Sequence, residues 1–138
     1  MLSEKLDTLR PAALVIDNDA SSRKLMGVIL EREGFSSTLA ANAAQALEHV
    51  ETLPQPPSLI ISDIFLGETN GVDVVARIRP RWPEAAVLFT SGFSEAALKD
   101  RGWVLNEPFI EKPVCIRRLR ALLAQVRARS AEPLPLSA

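Results

Sequence analysis

Leu59-Ile60-Ile61-Ser62-Asp63 is the stretch on which this chain turns. An apolar run meets a carboxylate, and no charged residue precedes Asp63 for eleven positions. A carboxylate at the mouth of a buried strand is costly unless something pairs with it or uses it. Three other apolar runs end in the same manner. Leu14-Val15-Ile16 leads to Asp17-Asn18-Asp19, Ala86-Val87-Leu88-Phe89 to Thr90-Ser91, and Phe109-Ile110-Glu111 to Lys112-Pro113. Acid, acid, hydroxyl and amine at four strand ends suggest a magnesium-assisted phosphoryl site.

Outward from these runs the apolar period alternates. Residues 12–17 read as a strand, and 21–33 as a helix with Leu25, Met26, Ile29 and Leu30 inward, Ser21 or Ser22 as cap and Gly34 beyond its end. A weaker strand at 37–40 precedes a helix at 42–52 that Asn42 caps. The strand at 58–62 is followed by a helix at 72–79 with Val72, Val75 and Ile78 inward. Then come a strand at 86–90, a short helix at 94–101 capped by Ser94, and a strand at 108–111. The helix at 114–129 has the clearest stripe, Ile116, Leu119, Leu122, Leu123 and Val126. No proline interrupts a helix candidate. Five alternations of strand and helix predict an α/β fold, a doubly wound parallel sheet with helices on both faces. In such sheets the ligand crevice lies outside the carboxyl ends of the strands.

The chain has 138 residues, 47% of them apolar, which suits one domain with a real core. The expected division is a leader at 1–11, one domain at 12–129 and a disordered tail at 130–138, too short for an output domain. Net charge is −1, so neither nucleic acid nor an anionic membrane is an expected partner. Arg117, Arg118, Arg120, Arg127 and Arg129 read as a solvated helix face. Cys115 is the only cysteine, which excludes an internal disulfide and suggests a small buried thiol. Charges at Glu4, Lys5, Asp7 and Arg10 exclude a signal-peptide core, and no apolar run approaches the roughly 18 residues of a membrane span. A cytoplasmic location is expected. His49, between Glu48 and Glu51, reads as solvated; Trp82 and Trp103 read as packing or surface anchors. Neither G-x-x-x-x-G-K-[ST] nor G-x-G-x-x-G is present.

From about residue 12 to 129 the chain resembles the response-regulator receiver domain of two-component signalling. The resemblance rests on the acids after the first strand, Leu-Ile-Ile-Ser-Asp63 before a loop reaching Gly71, Phe-Thr90-Ser91-Gly92, and Glu-Lys112-Pro113. It implies a flavodoxin-like sheet of order 2-1-3-4-5, for which a member of this family is the standard example. It implies that Asp63 accepts a phosphoryl group from a sensor histidine kinase or a histidine phosphotransfer protein. Thr90 and Lys112 would bind the phosphoryl oxygens. Mg2+ would be held by Asp17, Asn18, Asp63 and the backbone carbonyl of Phe65. Thr90, Ser91 and Phe109 would form the switch, and the Lys112–Pro113 bond would be cis. The same resemblance allows homodimerisation through residues 94–129.

Three residues depart from the family pattern, one of them Gly67, which stands where proline is frequent and loosens the loop after Asp63 without touching the chemistry. Asn18 stands where a second acid is usual; an amide oxygen still binds magnesium, but without full negative charge. Phe65, at the rim of the site, cannot orient an attacking water, so slow self-hydrolysis is expected. Two other readings compete. In a haloacid-dehalogenase-type phosphatase, Asp17 is the nucleophile and Asp19 the general acid, but Asp63 is left unexplained. A receiver-like interaction module that works without phosphorylation is the other. The Asn18 reading predicts that Asn18→Asp binds Mg2+ more tightly than the wild type in a direct titration. Equal affinities would remove Asn18 from the ligand set.

Overall fold

Val15 and Ile16 are neighbours in sequence but are buried in two separate cores, one on each face of a sheet. That is the reason the strands read as unbroken apolar runs rather than alternating ones. The structure, a computed structural model, describes residues 10–131. It has five strands, β1 (Ala12–Ile16), β2 (Ser36–Ala40), β3 (Leu59–Asp63), β4 (Ala86–Ser91) and β5 (Phe109–Glu111). They form one parallel sheet in the order β2-β1-β3-β4-β5. Between and after them run α1 (Ala20–Arg32), α2 (Ala43–Thr52), α3 (Gly71–Ile78), α4 (Glu95–Asp100) and α5 (Ile116–Ala131). The expected doubly wound α/β fold is the one observed.

Leu14, Ile16, Ile60, Val87 and Phe89 meet Ala46 and Val50 of α2, Val74, Val75 and Ile78 of α3, and Leu98 of α4. On the opposite face Val15, Ile61, Leu88 and Ile110 meet Met26 and Leu30 of α1 and Leu119 and Leu123 of α5. Removing a side chain such as Leu123, 1% exposed, would cost about 2–5 kcal/mol. Trp82, in the α3–β4 connection, is buried in the first of these cores.

Local chemistry sets the helix starts. Asn42 accepts from the Gln45 N–H at 2.8 Å, Asn70 from Asp73 at 2.9 Å and Ser94 from Ala97 at 3.1 Å. At α1 the cap is Asp19, which accepts from the Ser22 N–H at 2.8 Å, and not Ser21 or Ser22. The inward stripe of α1 is also narrower than expected. Met26 and Leu30 face the sheet, while Leu25, about 100° round the helix from Met26, is 60% exposed. In α5 Leu119 and Leu123 are buried, whereas Ile116, in the first turn, is 46% exposed. Cys115 is exposed, contrary to the sequence reading; it precedes α5, and its carbonyl accepts the Leu119 N–H at 2.9 Å. His49 does not simply face solvent, since its Nε2 lies 3.2 Å from the Leu39 carbonyl.

The ends of the domain differ a little from expectation. Arg10 pairs with Glu31 at 2.9 Å, and the Pro11 carbonyl accepts from the Ser36 N–H at 2.9 Å, so both are tied to the fold. Helix α5 continues through Ala131 instead of ending at 129. The rest of the expected leader and tail, 1–9 and 132–138, lies outside the described residues.

Gly71 shows how closely the chain returns on β3. A Cβ there would lie 1.9 Å from the Asp63 carbonyl oxygen and 2.4 Å from Ser62 Oγ. The Gly71 N–H donates to the Ile64 carbonyl at 2.7 Å and holds this approach. Gly71→Ala is therefore expected to lower the urea midpoint, with a loss of about 1–3 kcal/mol. An unchanged midpoint would show that the loop can withdraw without cost.

Candidate functional site

Strand register brings the four expected side chains together. Asp63 is paired across the sheet with Thr90, and Ile16 with Ser62, so Asp17 follows beside Asp63. Ser91 pairs with Glu111, and the next residue is Lys112, whose N–H donates to the Ser91 carbonyl at 2.7 Å. The loops leave the sheet at a single edge, and their polar side chains converge there.

Lys112 is the hub. Its Nζ lies 3.0 Å from Asp17 Oδ2, 2.9 Å from Asp63 Oδ1 and 3.0 Å from Asp63 Oδ2. Thr90 Oγ1 donates a short hydrogen bond to Asp63 Oδ1. Asp17 and Asp63 are 4% and 6% exposed, so one ammonium is shared between two nearly buried carboxylates. The Lys112–Pro113 bond is cis.

The two acids are not equivalent. Burial, reinforced by the neighbouring Asp17, pushes Asp63 up from 3.8 to about 6, against the opposing pull of Thr90 and Lys112. Burial also acts to raise Asp17, but the hydrogen bond it accepts when Asp63 holds the pair's proton, with those from Ser22, the Asp19 N–H and Lys112, outweighs it and holds the group below its usual range. For Lys112, burial favours the neutral amine; the two carboxylates overcome this and raise its pKa. At neutral pH Asp63 is therefore an ionised carboxylate, more basic than an ordinary one.

The acidic loop is divided by function. Asp19 is committed to capping α1, and its N–H donates to Asp17 Oδ1 at 2.8 Å. Asn18 is exposed at the mouth of the site. Among the described residues no cluster of three or more acidic, histidine or cysteine side chains is poised for a metal. Magnesium, however, needs only one or two carboxylates and keeps several waters. The Asp17–Asp63 pair, with charge left over after one lysine, fits that requirement.

Phe65 and Gly67 lie in the loop after Asp63, Gly67 at a φ of +83°. The Ser91 hydroxyl accepts the Phe93 N–H at 3.0 Å. Phe109 is half-buried against the α2–α4 core. It also lines a surface cavity of about 280 Å³ with Trp103, Leu105 and Lys99. Arg23 was not anticipated. Its Nη1 donates to the Asp17 carbonyl at 2.8 Å and pins the loop from α1. Its only signal in the sequence is a position one turn into the helix that follows the acids.

With this geometry in view, the relatives are informative. The model of the response regulator receiver domain matches residues 13–124. The chain belongs to the response regulator receiver domain family. It is 31% identical over 124 residues to the DNA-binding response regulator MtrA of Mycobacterium tuberculosis (strain ATCC 25618 / H37Rv), covering 90% of this chain and 52% of that protein. It is 37% identical over 81 residues to a putative response regulator NtrX-like of Rickettsia typhi, covering 57% of this chain and 17% of that one. The receiver thus spans about half the length of MtrA. Among solved structures, a sensor protein from Polaromonas sp. JS666 superposes with a TM-score of 0.72 at 25% identity, covering 88% of this chain and 99% of that one. A two-component response regulator from Clostridium difficile superposes at 0.74 and 19% identity, covering 89% and 100%. The second likeness concerns the fold alone.

The pKa of Asp63 has a consequence for stability. Between 3.8 and about 6 the folded chain binds more protons at this group than the unfolded chain does. Its contribution to stability therefore falls as pH rises through that window. Asp63→Asn is expected to melt above the wild type near pH ~7.5, by on the order of 1–3 kcal/mol, and the gap should shrink toward pH ~4.5. Thermal denaturation of both proteins across this range is the measurement. A wild type that melts higher than the variant at the upper end would contradict a carboxylate held charged at a cost.

Proposed function

We propose that this receiver takes a phosphoryl group from a phosphohistidine onto Asp63 and signals through protein–protein contacts. The donor is a sensor histidine kinase or a histidine phosphotransfer protein. The observation that carries the reading is the Asp63 carboxylate, almost buried yet at a loop edge, shared between Thr90 and Lys112 and beside Asp17.

The chemistry follows from those positions. An Asp63 carboxylate oxygen attacks phosphorus in line, a P–O bond forms, and the P–N bond to the donor imidazole breaks with its electron pair returning to nitrogen. Lys112 keeps its ammonium against the new phosphoryl oxygens as a point charge. Thr90 exchanges its bond to Asp63 for one to a phosphoryl oxygen. Mg2+, when bound, supplies further positive charge to those oxygens, and Asp17, Asp63, the Asn18 amide and the Phe65 carbonyl would hold it. Movement of Thr90 and Ser91, followed by Phe109, would alter the surface of residues 94–129, where a downstream protein or a second copy would read it.

The partner side has physical support too. Leu25 and Val28, 60% and 44% exposed, lie one turn apart on α1, the helix that starts from the acidic loop. An apolar strip on the helix that leaves the acidic loop suits a helical donor that must bring its histidine to Asp63. No helix among the described residues is long and apolar enough to cross a membrane, and a cytoplasmic partner is the one proposed. The DNA binding in the name of MtrA is not extended to this domain, whose chain carries a net charge of −1. The phosphatase alternative loses its general acid, because Asp19 caps α1.

The test is labelling with acetyl phosphate and Mg2+, read by intact mass. The wild type should gain one phosphoryl group, Asp63→Asn none, and omission of Mg2+ should suppress the gain. Once formed, the label should decay more slowly in the wild type than in Phe65→Asn. No label on the wild type would leave the phosphorylation-independent module as the better account, and turnover of an aryl phosphate would restore the phosphatase.

A further inference from the structure

Phe65 stands two residues past Asp63, in a loop that folds back to bridge Asn70. Its ring meets two aromatic partners edge-on. Phe93 lies 5.3 Å away between centroids at 69°, and Trp103 lies 5.6 Å away at 90°. Phe93 comes just before α4 and Trp103 just after it, so one ring touches the chain on both sides of the helix. Both partners are fixed to their surroundings. The Phe93 N–H donates to Ser91 Oγ at 3.0 Å, and the Arg101 guanidinium lies 4.2 Å over the Phe93 ring. The Trp103 N–H donates to the Leu98 carbonyl at 2.9 Å. Helix α4 has six residues and a single buried side chain, Leu98. A short helix with so little buried apolar contact belongs to the part of a fold that moves at low cost.

We propose that Phe65 is a positioning residue that ties the state of Asp63 directly to α4, through Phe93 and Trp103, in parallel with the Thr90–Phe109 route. The inference rests on the phosphoacceptor reading above. A group added to Asp63 changes the constraint on a loop two residues away. A free side chain would absorb that change in solvent. Phe65 cannot, because edge-to-face packing is directional and its ring is held by partners flanking α4. The displacement therefore passes to both ends of the helix. The coupling is reciprocal: whatever fixes α4 also biases Phe65 and the equilibrium between the free and phosphorylated states of Asp63.

Trp103 gives a direct readout. The chain has two tryptophans, and Trp82, 5% exposed in the α3–β4 connection, is not one of the rings that meet Phe65. Protein labelled with 5-fluorotryptophan therefore yields a reporter and an internal reference, assigned with Trp103→Phe. Acetyl phosphate and Mg2+ are added, and 19F spectra are compared at equal phosphorylated fraction by intact mass. The Trp103 resonance is expected to shift in the wild type and to keep its shift in Thr90→Val. It should lose the shift in Phe65→Leu and regain it in Phe65→Tyr, which keeps the ring edge. The Trp82 resonance, unmoved throughout, verifies that each variant is folded. A full shift in phosphorylated Phe65→Leu, or none in phosphorylated Thr90→Val, overturns the proposal while the phosphoacceptor reading stands. Failure of the wild type to take up label overturns both.

Discussion

One ammonium group between two carboxylates organises the functional end of this molecule. Lys112 reaches Asp17 and both oxygens of Asp63 within 3.0 Å. Without it, two nearly buried acids would face each other in a setting where like charges are expensive. With it, the pair is tolerated and one negative charge remains in excess. That excess is what an incoming cation can use. The same lysine reaches across from β5, at the edge of the sheet, to β1 and β3 near its centre. It therefore also marks the relative placement of three strands.

Such convergence needs a rigid ruler, and the sheet provides it. A one-residue slip in strand register would turn every side chain to the other face. Here both faces are packed under helices, so a slip would exchange side chains of different size between two fitted cores. Packing thus fixes register, and register fixes that Asp63 lies opposite Thr90 and that Lys112 follows the Ser91–Glu111 pair. The site inherits its precision from apolar burial in the strands that carry it. Gly71 completes the arrangement by letting the chain pass against the Asp63 carbonyl where a Cβ would collide.

Much of this was legible before any coordinates. Strands buried on both faces announce themselves as short apolar runs, and their polar last residues stand out against that background. Asn42 and Ser94 could be named as caps because capping is local chemistry. Legibility failed where the third dimension decides. Leu25 looks like Met26 in composition, and only the start of α1 at Ala20 turns it outward. Asp19 takes the cap that the sequence reading assigns to Ser21 or Ser22, because the helix begins one residue earlier, at Ala20. Cys115 was expected to be buried because small thiols usually are, but at the entry to α5 it has nothing above it. Arg23 and Phe93 gave almost no signal. Their roles come from a carbonyl and a ring supplied by distant segments.

The asymmetry of the two acids supports the proposed choice of Asp63 over Asp17 as the nucleophile. The sequence alone permits Asp17, at the head of an Asp-x-Asp pattern, or Asp63. In the fold Asp17 accepts the Asp19 N–H and the Lys112 ammonium, and the donors around it hold its electron pairs down. Asp63 has Thr90 and Lys112 but is dominated by burial, which raises it to about 6. A carboxylate that is ionised at neutral pH yet more basic than usual is the better attacking group. Asp17 is the better fixed charge, suited to a cation and to a lysine. Identical side chains thus acquire different tasks from their surroundings. The division is the one the proposed phosphoacceptor reading needs, whereas the phosphatase reading would exchange the two roles.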